Sequence, residues 1–232
     1  MTAIILDTET HKLAGNACEI AWASFSLVDG VAKSDFKTGE CHRFNPLEPI
    51  SIGAMATHHI LDADVANCPP HTEFTLPILN HQPVEYIIGH NVDYDMAVLA
   101  RCAVDISPIK TICTLALAQS CWPQAEQHTL GALAYLLAED QTKAREVLKH
   151  AHSAWHDIRI TASVLRYLID DLGVMTVEEL YIASEKARIP THMRGGKHAG
   201  VPLQDLPPSY ASWLRKQPDL NPYLARALDQ FF

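Results

Sequence analysis

Residues 4–10 read IILDTET, a short apolar run that closes on two carboxylates, Asp7 and Glu9. The run has the make-up of a buried strand, and a buried strand ends on acids at a cost unless they are paired or hold a cation. Side chains alternate along a strand, so Asp7 and Glu9 project from the same face as Ala3 and Ile5. Two like charges that close repel unless something positive lies between them. Three readings compete: an exposed strand end at a turn, a phosphatase-like nucleophile pair, and one half of a metal site.

The phosphatase reading fails on the letters. The haloacid-dehalogenase pattern requires Asp-x-Asp-x-Thr after the first strand, whereas here the second acid is Glu9 and His11 stands two places beyond it.

Outward from this strand, CEIAWASFSL (18–27) alternates as a second strand that ends at the Asp29-Gly30 turn. GECHRFNP (39–46) reads as a third, stopped by Pro46, and residues 72–80 as a short helix. VEYIIG (84–89) is a continuous apolar strand, followed by a helix from about Asp93 to Cys102. A strand over 109–113, helices over 114–121 and 129–138, a long helix from Ala154 to about Leu172 and another over 177–187 complete the pattern. Strands first, then strands alternating with helices, predict an α/β chain with a mixed sheet flanked by helices. After Arg188 the composition turns rich in Pro and Gly before a last helical stretch. The expected organisation is a main domain over 1–175, a connecting helix or linker over 176–190 and a small C-terminal module over 191–232.

Bulk properties narrow the function. A chain of 232 residues with 48% hydrophobic and 19% charged residues suits a folded soluble protein with a real core. No apolar stretch reaches the roughly 20 residues of a membrane span, and the N-terminus lacks the pattern of a signal peptide. Six dispersed cysteines without a CxxC pair suit a reducing, cytoplasmic setting rather than a disulfide framework or a zinc ribbon. A net charge of −9 argues against coating duplex DNA by charge alone. It leaves room for an enzyme that grips phosphates through metal ions.

Two further segments carry inward acids. In IIGHNVDYDMAVLARC (87–102), Val98, Leu99 and Cys102 fall at i+3, i+4 and i+7 from Asp95, which therefore rides the apolar stripe of its helix. Asp93 lies off that stripe and reads as a helix cap. In KHAHSAWHDIRITASVLRYLIDDL (149–172), Asp157 shares a face with Ile158, Thr161, Val164, Leu165 and Leu168. His152 fits the loop entering that helix, free to swing over the same site, while His150 and His156 read as surface or capping residues. Four inward acids at strand ends and helix starts point to a divalent-metal site, and an all-oxygen set suits Mg²⁺ or Mn²⁺ better than zinc.

DTET, HNVDYD and HSAWHD resemble the three ordered motifs of the DEDDh 3′→5′ exonucleases, D-x-E, H-N-x-x-[FY]-D and H-x-x-x-x-D. AMATHHILDADV (54–65), ICTLALAQSCWP (112–123) and HTLGALAYLL (128–137) are similar to further family segments, and the tail GKHAGVPLQDLPPSYASWL resembles the module of the exonuclease X branch. The resemblance implies an RNase H-like fold and an exonuclease acting on nucleic acid with a free 3′ end. DNA is the favoured substrate, in repair or end processing, and no membrane is involved. It implies Asp7, Glu9, Asp95 and Asp157 as ligands of two Mg²⁺ or Mn²⁺ ions and His152 as general base for the attacking water. Two such ions about 4 Å apart clamp the attacking and leaving oxygens in line. Thr8, Leu13, His58 and Asn91 would bind substrate, Leu13 as an apolar wedge against the terminal base and His58 at the terminal nucleotide. The sequence departs from D-x-E-T-T-G-L at His11 and Lys12, and from H-G at His58-His59. An exoribonuclease or short-oligonucleotide nuclease, and a non-catalytic nucleic-acid-binding or polymerase-accessory protein, remain the alternatives. Oligomeric state, a homodimer included, is left open.

Overall fold

The computed structural model describes residues 2–149, 151–193 and 195–232. The expectation for His150 falls outside them. The chain divides into two compact units, one running to Ser184 and the other from Glu185 to Phe232.

The first unit opens with an antiparallel meander of β1 (Ala3–Thr10), β2 (Ala17–Val28) and β3 (Val31–Arg43). The β2–β3 hairpin turns on Asp29 and Gly30 alone, with φ of 51° and 76°. Both residues are left-handed, as a two-residue turn matching strand twist requires, and Asp-Gly tolerates that at low cost. Next come α1 (Ile52–His58), the single turn α2 (Asp62–Val65) and a small hairpin of β4 (Ile78–Leu79) and β5 (Gln82–Pro83). β6 (Tyr86–Gly89) then enters the main sheet parallel to β1, leads into α3 (Asp93–Arg101), and is flanked by the parallel β7 (Lys110–Cys113). The strand order is β3-β2-β1-β6-β7. β1 is therefore central, antiparallel to one neighbour and parallel to the other.

The chain continues through α4 (Thr114–Cys121), α5 (Leu130–Leu136), α6 (Gln141–Leu148), α7 (Ala154–Leu172) and α8 (Val177–Arg188). Ile4, Ile5, Leu6, Ile87, Ile88 and Ile112 are fully buried, as interior strands covered on both faces demand. Each such side chain contributes about 1.5–3 kcal/mol of burial. α7 lies on β1 and β2 and against α4 and α5, with Ile158, Thr161, Val164, Leu165 and Leu168 facing inward. Gly173 ends it in the left-handed conformation (φ 62°), its N–H donating to the Ile169 carbonyl. Among the described residues no helix is long and apolar enough to cross a membrane.

Four points in this unit differ from the expectations. The third strand starts at Val31 rather than 39, since it pairs with β2 from the turn onward. As an edge strand it puts Lys33, Asp35 and Lys37 on the exposed face, and its opposite face begins with the small Ala32 and Ser34, which give the alternation little apolar contrast. The region 72–80 holds a 3₁₀ turn, His71–Glu73, and the β4 strand in place of a helix. α6 was not anticipated, although Asp140 caps it by accepting from the Thr142 and Lys143 N–H groups. Asp93 is the first residue of α3, and Val92 occupies the capping position.

The second unit has its own core of Met193, Leu203, Leu206, Ala211, Leu214, Ala227 and Leu228. It is built on α9 (Pro208–Leu214) and α10 (Pro222–Leu228), each with proline in its first turn, where the missing N–H is harmless. Arg215 fastens the end of α10 by donating to the Leu228 carbonyl and pairing with Asp229. The unit begins at Glu185, inside α8, whereas the sequence placed the module from 191.

Candidate active site

The end of β1 and the start of α7 bring Asp7, Glu9 and Asp157 together, with one carboxylate oxygen of each inside a 4.8 Å group. Asp7 and Glu9 arrive by strand alternation. Asp157 arrives because α7 begins directly over the end of the β1–β2 pair. Asp95 approaches from α3 and is buried, and its Oδ1 accepts a 2.7 Å hydrogen bond from the Thr8 hydroxyl. Thr8 points to the opposite face of β1 from Asp7 and Glu9, so one strand end addresses both sides of the sheet.

Burial raises all four acids of this group. Burial pushes Asp7 well above the ordinary carboxylate range, and the charges of Asp95, Asp157 and Glu9 push it further. Glu9 is raised to about 8, first by burial and then by Asp157 and Glu19. Asp95 is raised to about 7 by burial, against the opposing hydrogen bond from Thr8. Burial also raises Asp157, while the charge and the backbone N–H of His152 pull it down. A donor set made wholly of carboxylate oxygen, crowded and withdrawn from water, fits a hard divalent cation.

His152 sits in the left-handed region (φ 64°) on the loop immediately before α7, with its side chain exposed. Among the described residues its imidazole makes no hydrogen bond, and it stands beside Asp157. The ring is exposed at the edge of the cluster.

Glu19 is the residue that sequence reasoning missed. It lies directly across from Glu9 in the β1–β2 register and is 5% exposed. Its Oε1 accepts from the Ala154 N–H (3.0 Å) and the Ser153 hydroxyl (3.2 Å), and its Oε2 accepts from Arg43 Nε at 3.4 Å. Glu19 thus ties β2 to the first residue of α7, the helix that carries Asp157. The signal was available, because an acid inside an apolar strand raises the same question as Asp7 and Glu9.

Beside Glu9 opens a cleft of about 370 Å³ lined by Glu9, Thr10, Lys12, Leu13, His58 and Tyr94, among others. Leu13 is 90% exposed at its rim. The Thr10 hydroxyl hydrogen-bonds the Tyr94 hydroxyl across it. His58 lines the cleft, but its ring is engaged within the protein. Nδ1 accepts from the Ile60 N–H at 3.0 Å and Nε2 donates to the Thr10 carbonyl at 3.2 Å. Burial lowers its pKa, in keeping with a neutral ring that pins the end of α1 to the end of β1. Thr8 is not in the cleft lining, and its hydroxyl serves Asp95. Asn91 is exposed in the left-handed region (φ 69°) in the loop that delivers α3.

At the departures from the family pattern, His11 is fully buried with Nδ1 accepting from the Asn16 N–H, while Lys12 pairs with Glu48. His90 bridges Thr114 and the His128 carbonyl, and burial lowers its pKa to about 4. It acts as a neutral strut under the loop to α3.

The exonuclease family profile, of the RNase T type, matches residues 4–165, the stretch that contains every acid of the cluster. The chain belongs to this exonuclease family. Across 98% of its length it is 30% identical to exodeoxyribonuclease 10 of Escherichia coli strain K12, covering 97% of that protein, and equally to the protein of the same name from strain CFT073. A solved structure of exonuclease X in complex with 5′ overhanging duplex DNA superposes with a TM-score of 0.58 at 30% identity, over 78% of this chain and 99% of that one. E. coli exonuclease I in complex with a dA16 oligonucleotide matches with a TM-score of 0.55 at 17% identity, over 82% of this chain and 44% of that one, a likeness of fold. The mixed five-stranded sheet with flanking helices is the RNase H-like fold of these exonucleases.

Proposed function

We propose that this chain is a metal-dependent 3′→5′ exodeoxyribonuclease that hydrolyses the terminal phosphodiester of DNA and releases 5′-mononucleotides, in end processing or repair within the cytoplasm. The observation that carries the reading is the convergence of Asp7, Glu9 and Asp157, with Asp95 alongside and His152 exposed at the edge. The full-length likeness to exodeoxyribonuclease 10 supports DNA as substrate. The exonuclease X complex supports it further, because a 5′ overhang leaves the opposite strand with a recessed 3′ end, the end such an enzyme would attack.

Asp7, Glu9, Asp95 and Asp157 would hold two Mg²⁺ or Mn²⁺ ions, which when bound stabilise the charge that grows on the phosphoryl oxygens and on the leaving 3′-oxygen. His152 takes the proton from the attacking water. As the new P–O bond forms, the bond from phosphorus to the 3′-oxygen breaks. The terminal nucleotide leaves with its 5′-phosphate, and the 3′-oxygen of the shortened strand takes up a proton from solvent to become a 3′-hydroxyl, while His152 returns its own to solvent. Asp157, next to His152, orients the loop through the His152 N–H. Thr8 fixes the Asp95 carboxylate, and Leu13 on the cleft rim meets the terminal base.

The test is digestion of end-labelled single-stranded, duplex and recessed DNA, with RNA in parallel, by wild type, Asp7→Ala and His152→Ala in Mg²⁺. The expected result is stepwise loss from the 3′ end of DNA, at least about 100-fold slower in either variant. Undiminished activity in both variants, or preferential digestion of RNA, would refute this assignment.

A further inference from the structure

The second unit carries chemistry that the catalytic cluster does not use. Residues 185–232 contain seven Lys and Arg against four Asp and Glu, a net charge of +3, so the rest of the chain holds −12 of the overall −9. A polyanion is repelled by the larger unit outside its acid cluster and attracted by the smaller one.

Within that unit, three aromatic rings form a continuous contact. Tyr210 and Trp213 on α9 stack with centroids 5.4 Å apart and an interplanar angle of 26°, and His198 leans on Tyr210 at 4.3 Å. Trp213 lies outside the unit's core and is 52% exposed. The loop that passes the Tyr210 hydroxyl does so at a glycine. Gly196 has φ of 76°, and a Cβ there would come within 3.3 Å of the Tyr210 hydroxyl. Lys197, adjacent to His198, and Lys216, three residues past Trp213, are exposed and form no ion pair among the described residues. The unit's arginines at 188, 215 and 226 are spent on Glu185, Tyr223 and Asp229. A pre-stacked, exposed indole in a unit that also presents exposed lysines next to His198 and three residues past Trp213 has the chemistry that binds single-stranded nucleic acid, bases on the ring and phosphates on the lysines.

We infer that the C-terminal unit is a single-strand-binding site, with Trp213 as the stacking platform and Lys197 and Lys216 as phosphate contacts. The inference rests on the proposed action on DNA, since that action is what would give such a site its substrate.

The experiment measures binding without turnover. Anisotropy of fluorescein-labelled dT20 is titrated in chelator with the full chain as wild type, Trp213→Ala, Trp213→Phe and Lys197→Ala/Lys216→Ala. Base stacking on one aromatic ring, about 1–3 kcal/mol, predicts a loss of about 5- to 150-fold for Trp213→Ala and near-wild-type binding for Trp213→Phe. The double lysine variant is expected to flatten the slope of log affinity against log salt by about 1.4, two phosphates at about 0.7 each. A blunt duplex of equal length, its bases already stacked, is expected to show no Trp213 dependence. Thermal melts report whether each variant is folded. Equal affinity of wild type and Trp213→Ala for dT20 would overturn the inference and leave the ring stack as a surface for a protein partner. An equal loss on duplex would overturn it as well. Because no cleavage is involved, a wild type that binds through Trp213 but fails to digest DNA would refute the nuclease assignment alone.

Discussion

The crowding of carboxylates makes the metal-free protein unstable in a way that one isosteric change should relieve. Glu9 is raised from an ordinary 4.5 to about 8 by burial and by Asp157 and Glu19. A group whose folded pKa exceeds its unfolded one stabilises the fold while protonated, fully below the unfolded value, and that stability is lost as pH rises through the folded value. The slope is about 1.4 kcal/mol per pH unit, so between about pH 5 and pH 8 Glu9 alone accounts for about 4 kcal/mol. Water at its partly open side reduces this to about 2 kcal/mol. Glu9→Gln keeps the shape of the protonated acid and cannot ionise. In chelator, the variant and wild type are expected to melt together near pH 5. Near pH 8 the variant should melt higher by about 4–8 °C, the change that about 2 kcal/mol makes in a chain of this size. Added Mn²⁺ at pH 8 should raise the wild-type melting temperature and close the gap, while the variant responds weakly and is inactive. Parallel pH dependence of the two proteins, or a variant less stable at pH 8, would refute the account of the site as an electrostatically strained cluster.

Three more outcomes follow from individual contacts. Glu19→Ala removes the acceptor of the buried Ala154 N–H and is expected to cost about 1–3 kcal/mol in urea unfolding. It should also lower kcat by about 10- to 100-fold by loosening the start of α7, with Glu19→Gln recovering most of the stability. Wild-type kcat in Glu19→Ala would show that the tie does not position Asp157. Thr8→Val strips Asp95 of its hydroxyl donor, so the Asp95 pKa rises further and Mn²⁺ affinity near pH 7 should fall about 5- to 10-fold by calorimetry. Unchanged affinity would remove Thr8 from the site. Leu13→Ala alters a side chain 90% exposed, so its stability should stay within about 0.5 kcal/mol of wild type while KM for DNA rises about fivefold. An unchanged KM would mean that Leu13 makes no contact with the terminal base.

The central strand and the inward acids were legible because each obeys a period. Asp7 and Glu9 follow the two-residue alternation of β1, and Asp95 and Asp157 follow the helical stripes of α3 and α7. His152 could be placed on a loop because five residues of helix would have turned it away from Asp157. What stayed hidden depended on partners far along the chain. Glu19 looks like a flaw in a strand until the start of α7, some 135 residues later, supplies its donors. β3 is an exposed edge, where the inward positions Ala32 and Ser34 are too small and weakly apolar to mark the alternation that Lys33, Asp35 and Lys37 keep on the outer face. His58 carries a motif that suggests nucleotide contact, yet the Thr10 carbonyl and the Ile60 N–H occupy both ring nitrogens. Only the folded chain distinguishes a histidine that reaches outward from one that fastens two segments.

The two-sided use of β1 carries a consequence for how this chain can change over time. Asp7 and Glu9 face one way and Thr8 the other, so inserting or deleting a single residue before Asp7 would exchange their sides. The acids would be driven toward α3 and the hydroxyl toward α7, and both halves of the centre would be lost in one step. The β1–β2 connection, where Lys12, Leu13 and Ala14 lie exposed, has no such parity to keep. Length in this chain is therefore fixed by parity along the strand, and at the rim of the cleft by contacts instead, the Gly15 N–H donating to the Lys12 carbonyl and the Asn16 N–H to His11.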